Sequence, residues 1–246
     1  MESSSSGLDE LTLESVKSEI YSRNNPTLTP VDIELHAEVV FRILELKKKH
    51  NAVILGHNYM EPLVFGLSEQ GEQGDSLALS MSAAQAESDF IIFNGVRFMA
   101  ETAKVLNPSK RVLIADKSAG CSLADDFGAE DVRILKEKYP GVPVMIYINS
   151  YADAKAECDV CCTSANAVKI VNSLDVKKVI FLPDDYLAKY VASQTDVEII
   201  SWKGTCQVHE KFNDEEINEI RKNNPGIKII AHPECPPDVI KASEFA

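Results

Sequence analysis

The feature that most constrains this 246-residue chain is a pattern that returns. NAVILGHNY, VPVMIYINS and IKIIAHPEC are short apolar runs that close on His57, Tyr147 and His232, which stand 90 and 85 positions apart. Self-similarity over such a period is the mark of repeated structural units. Between these runs lie others: DFIIFNG, RVLIAD, KKVIFLPDD and VEIISWKGTC. Apolar runs of this length read as strands buried on both faces, and amphipathic stretches such as HAEVVFRILELKKKH, GDSLALSMSAAQAES and FMAETAKVLNP read as the helices between them. The expected fold is α/β, built of repeated three-layer αβα doubly wound units with parallel sheets.

Boundaries follow from the repeat. Residues 1–34 read as an N-terminal tail and lead-in, 35–121 as a first α/β unit, 122–206 as a second, and 207–246 as the start of a third that is incomplete. The opening MESSSSGLDE has no apolar stretch behind basic residues, so it is not a secretory signal, and serines 3–6 read as solvated. Six cysteines without a secreted-scaffold pattern fit a reducing compartment, and the expected location is cytoplasmic. A net charge of −13 leaves no cationic excess for phosphate backbones or anionic lipid, so neither nucleic acid nor membrane is expected as a partner. A small anionic substrate in a locally positive pocket remains compatible.

Open parallel sheets bind ligands outside the carboxyl ends of their strands. The unusual side chains gather there: His57, Asn58 and Tyr59; Tyr147 and Asn149; His232 and Glu234. Ser76 at a helix start, with Thr163 and Ser164 after a strand, offers hydroxyl and backbone N–H groups to an anion. The glycines of GLSEQGEQGDS match neither GxGxxG nor the P-loop, since Glu72 stands where that motif needs lysine. Cys121 in SAGCSLAD and Cys206 in KGTCQVH each follow a glycine near the close of their units, and one thiolate per repeat suits an iron–sulfur cluster with an open iron. Cys158, Cys161 and Cys162 lack a second ligand pair for zinc, and Cys161 and Cys162 are expected to face the core. Asp184 and Asp185 read as turn residues. The roles of Cys235 and His209 stay open.

The stretches GHNYM, GDSL, FNGVRFMAETAKVLNPSKRVLIAD, AGCSLAD, YINS, CTSANAVKIV, FLPDDYLAKYV, SWKGTCQVHEKF and AHPECPPDV together resemble the quinolinate synthase family, in order from about residue 35 onward. The resemblance implies domains in a pseudo-threefold arrangement around a 4Fe–4S cluster, one cysteine from each. It implies a transferase of NAD biosynthesis that condenses iminoaspartate with dihydroxyacetone phosphate to quinolinate, phosphate and water. L-aspartate oxidase or aspartate dehydrogenase would supply the iminoaspartate. Cys121 and Cys206 correspond to two cluster ligands, and the third cysteine and a Gly-Ser-Thr-Ser phosphate loop are expected beyond Ala246. His57, Ser76, Tyr147, Asn149 and Ser164 would bind substrate, and Tyr59, His232 and Glu234 would carry catalysis. Two rival expectations stand beside this one. One is a metal-free small-anion-binding α/β module, and the other a zinc-stabilised regulatory protein using Cys158, Cys161 and Cys162.

Overall fold

The computed structural model describes residues 11–24, 28–69 and 71–246; serines 3–6 lie outside them. The chain divides into two compact units, unit 1 from Met1 to Ala119 and unit 2 from Gly120 to Ala246. In unit 1, α1 (Leu13–Asn24) and α2 (Pro30–Lys49) precede β1 (Ala52–His57). There follow α3 (Pro62–Phe65), the short β2 (Gln73–Gly74), α4 (Ser76–Gln85), β3 (Phe90–Asn94), α5 (Arg97–Leu106) and β4 (Arg111–Ile114). All pairings are parallel and the order is β2-β1-β3-β4.

Unit 2 repeats the plan. It runs through α6 (Ser122–Asp125), α7 (Ala129–Lys138), β5 (Val144–Tyr147), α8 (Ala152–Ala156), β6 (Val160–Cys162) and α9 (Ala167–Ser173). Then come β7 (Lys178–Leu182), α10 (Asp185–Ala192), β8 (Glu198–Ser201), a 3-10 turn at His209–Lys211, α11 (Asp214–Asn223) and α12 (Pro237–Ala242). The order β6-β5-β7-β8 is again parallel throughout. In both sheets the second strand lies outside the first and the chain then crosses to the other side. That reversal opens a crevice at the carboxyl ends of β1 and β3, and of β5 and β7.

The apolar runs behave as side-chain alternation requires. Met145, Tyr147, Val179 and Phe181 belong to one core cluster with Cys162, Val171, Leu187 and Val191. Val144, Ile146, Ile180 and Leu182 belong to another, with Phe127, Val132 and Ala154. Both faces of β5 and β7 are therefore covered, which is why their sequences are continuously apolar. In unit 1, Leu55, Ile91, Phe93 and Phe98 are buried in the same manner. Each such Phe or Leu contributes about 1.5–3 kcal/mol by leaving water.

Helix starts carry their own chemistry. Thr29 accepts from the Asp32 amide at 3.2 Å while Asp32 accepts from the Thr29 amide at 2.9 Å, a reciprocal cap with Pro30 as the first helical residue. The segment read from sequence as lead-in thus holds α1 and the first turn of α2, whose residues Val16, Ile20, Ile33 and Val40 form a cluster of their own.

Three local expectations are corrected. IKIIAHPEC does not form a strand of a sheet; Ile230 makes an isolated parallel bridge to Phe245, and Ala231 donates to the Phe245 carbonyl at 2.9 Å. Neighbours on a strand face opposite ways, so Cys162 is buried but Cys161, on the edge strand β6, is exposed. Asp184 is no surface turn: it is fully buried, and its Oδ1 accepts from the Leu187 amide at 2.6 Å, capping α10.

Candidate active site

The loops at the carboxyl ends of unit 2's strands bring a group of reactive side chains together. Tyr147 is the last residue of β5, Ser164 follows β6, Asp184 follows β7, and Cys206 and His209 follow β8. His232 and Glu234 come from the segment leading into α12. The Cys206 loop is held against β7, since Asp184 and Gly204 form a parallel bridge and the Asp185 amide donates to the Gly204 carbonyl at 2.8 Å. A Cβ at Gly204 would stand 2.6 Å from the Pro183 carbonyl oxygen, so only glycine permits this approach.

Glu234 is the hub. It is 2% exposed, and its Oε2 lies 3.5 Å from the Tyr147 hydroxyl, 3.3 Å from His232 Nδ1 and 3.6 Å from His209 Nδ1. Burial pushes its carboxyl up to about 8, helped by the nearby charges of Asp184 and Cys206. Burial likewise pushes Asp184 up to about 6. His232 moves the opposite way, down to about 4, because burial and the neighbouring His209 both penalise its cation. The Glu234 amide donates to His232 Nδ1 at 3.3 Å, so the network assigns the proton to Nε2, which donates to Ser164 Oγ at 3.1 Å. At neutral pH the pair is a neutral carboxylic acid beside a neutral imidazole. Their contact is a hydrogen bond, not an ion pair. The His209 and His232 rings stack with centroids 4.9 Å apart.

Cys121 sits at the head of α6, half-buried, and packs against the Tyr147-containing core cluster. Burial raises its thiol, and the charges of Cys206 and Glu234 reach it and raise it further. Cys206, His209 and Glu234 each bring one ligand-type atom within 4.8 Å of the others. His209 Nδ1 and Glu234 Oε1 are buried without a hydrogen-bond partner. Two cysteines in one electrostatic neighbourhood, beside orphaned buried polar atoms, are a donor set that fits an iron–sulfur cluster.

Unit 1 holds the remaining expected residues. His57 closes β1, 3% exposed, and its Nδ1 accepts from the Tyr59 amide at 3.2 Å. Its Nε2 therefore carries the proton and lies 3.4 Å from Ser76 Oγ. Burial lowers the His57 pKa, partly countered by Asp75. The Tyr59 ring meets the His57 ring edge-on at 4.4 Å and remains largely exposed. Asn149 is half-buried two residues beyond Tyr147. Sequence reasoning passed over Asp184 and left His209 without a role. The Asp184 signal was present, an acidic residue directly ahead of an amphipathic helix, but that pattern is common to ordinary caps.

Polar strand ends on a doubly wound parallel sheet, with an acid and a base tuned apart, define a small-molecule α/β enzyme. Comparison with known proteins is specific. The family model described as Quinolinate synthetase A protein matches residues 41–246. Quinolinate synthase 2 of Mesorhizobium japonicum is 53% identical over 227 residues, 92% of this chain and 70% of that protein. Quinolinate synthase of Agrobacterium fabrum is 55% identical over 205 residues, 83% of this chain and 59% of that protein. That of Caulobacter vibrioides is 46% identical over 239 residues, 95% and 65% respectively. The chain belongs to the quinolinate synthetase A protein family.

Proposed function

We propose that this chain acts as a quinolinate synthase of NAD biosynthesis, joining iminoaspartate to dihydroxyacetone phosphate with loss of phosphate and water. The observation that supports the reading is Cys206 gathered beside Glu234, which pairs with His232, with Cys121 near enough for the charges of Cys206 and Glu234 to raise its thiol. Cys121 and Cys206 would supply two of the thiolates of a 4Fe–4S cluster. When bound, such a cluster with one iron free of protein ligands supplies Lewis-acid assistance to dehydration.

The chain's own residues would do the rest. His57 Nε2–H and the Ser76 hydroxyl present donors suited to a substrate carboxylate, and the exposed Tyr59 would pass a proton. Tyr147, Asn149 and Ser164 would orient substrate in unit 2. Glu234, protonated near neutral pH, can give its proton from Oε2 and recover it, while His232 Nδ1 can accept one. Tautomerisation and ring closure need such paired transfers. The reading extends to a cytoplasmic setting, with L-aspartate oxidase or aspartate dehydrogenase supplying iminoaspartate. No helix among the described residues is long and apolar enough to cross a membrane.

Anaerobic reconstitution with iron and sulfide tests the proposal. A brown protein whose colour is lost in Cys121→Ala and in Cys206→Ala is expected. A colourless wild-type protein after the same treatment would overturn it, and phosphate binding without any iron uptake would favour the anion-binding module.

A further inference from the structure

We infer that the outward face of α2 is the contact surface of a symmetric dimer, on which a second copy of this chain lays its own α2 antiparallel. The surface belongs to unit 1 and uses none of the residues placed in the candidate active site.

Helix α2 carries two apolar faces where a surface helix needs one. The inner face holds Ile33 and Val40, which cluster with Val16 and Ile20 of α1, and Ala37 is buried as well. The outer face holds Val31, Leu35, Val39 and Leu46, spaced by four, four and seven residues, so they fall in one stripe along the helix. Val31, Leu35 and Val39 are 66%, 69% and 59% exposed, and Leu46 is 38% exposed. Single apolar residues on a surface are ordinary. Four in a line about 22 Å long form a contiguous patch, and such a patch marks an interaction surface.

The charges of the helix choose the occupant. Its first half is acidic, with Asp32, Glu34 and Glu38, and its second half is mainly basic, with Arg42, Lys47, Lys48 and Lys49 against the single acid Glu45. A parallel copy would set like charge against like. An antiparallel copy sets opposite charges together and also opposes the two helix dipoles. With the twofold axis at the level of Val40 and Phe41, Leu35 meets the second copy's Leu46, and Val39 packs close to the axis. Glu38, which makes no ion pair among the described residues, then faces the second copy's Arg42, whose own-chain partner is the exposed Glu45 at 3.0 Å. The stripe is thus its own complement, as a twofold contact requires.

Size sets the expected strength. Two such stripes with the stems of their flanking charges bury on the order of 1,000 Å² in total, near the lower limit for a specific interface. The dimer is therefore a weak one, with a dissociation constant in the micromolar range.

Sedimentation of the purified chain from about 1 to about 200 µM tests the inference. The expected result is a concentration-dependent rise toward twice the chain mass. Leu35→Glu and Val39→Glu should each raise the dissociation constant about tenfold or more. Both positions are exposed, so the fold should be kept, which far-UV circular dichroism checks. Glu38→Lys and Arg42→Glu should each weaken the dimer severalfold alone, while an equimolar mixture of the two variants should recover it, since only the mixed pair restores opposite charges across the axis. A chain that stays monomeric throughout that range would overturn the inference. So would a dimer that the folded Leu35→Glu and Val39→Glu variants leave unchanged, or a mixture that associates no better than either charge variant alone.

Discussion

His57 in unit 1 and His232 in unit 2 are held in the same way. Each accepts, on Nδ1, the amide of the residue two places on, and each turns Nε2 toward a serine, Ser76 in one case and Ser164 in the other. Both occur in units of the same strand order. Yet the surroundings diverge: unit 1 places an exposed tyrosine beside its histidine, whereas unit 2 surrounds its histidine with Glu234, His209 and Ser164. A repeated backbone solution therefore fixes an imidazole and its tautomer cheaply. The chemistry is set by what the next loop brings to it.

The comparison is first open to attack through the cores. Phe93 on β3 stands in register with Leu55 and Ile114, and Phe181 on β7 with Met145 and Ser201. If the two units are equivalent scaffolds, Phe93→Ala and Phe181→Ala should each cost about 3–5 kcal/mol in denaturant unfolding. A loss confined to one variant would show that the scaffolds are not equivalent.

Acidity separates the units next. Glu234 keeps a proton in the folded state up to about 8, while unfolded it ionises near 4.5. Its contribution to stability is present below 4.5 and is lost as pH rises through about 8. His232, lowered to about 4, acts in the other direction but only up to 6.5, and Asp184 has released its proton above about 6. Between pH 6.5 and 8, thermal stability of the metal-free protein should therefore fall, and Glu234→Gln should flatten that slope. The lowered His57 of unit 1 predicts no such fall, because an imidazole kept neutral gains stability as pH rises. An unchanged slope in Glu234→Gln would remove Glu234 as the origin.

The smallest effect tests the helix starts. Thr29→Ala removes the cap of α2 in unit 1 and should cost about 1 kcal/mol, measurable as a shift in the unfolding midpoint. Asn213→Ala, which loses the 2.9 Å bond from the Glu216 amide at the start of α11, should cost a similar amount in unit 2. Unequal values would show that packing, not capping, anchors one of the two.

Much of the scaffold was legible from local pattern, because strands covered on both faces must be continuously apolar and helices between them must not. VMIY and KVIFL declare their burial without any partner being known. IKIIAHPEC misled because the same pattern in Ile227–Ile230 gives a strand only if a neighbour offers a full ladder, and here Ile230 finds one bridge to Phe245. Cys161 misled because β6 lies at a sheet edge, a fact about order and not about composition.

For the site, the sequence by itself determined which chemical groups this protein owns and that they stand after glycines and at strand ends. Only the tertiary structure decided that Glu234 would be a neutral acid, His232 a neutral base and Asp184 a buried carboxyl beside them. Proton affinity depends on desolvation and on charges that approach through space, and those arise from segments as far apart in the chain as Tyr147 and Glu234.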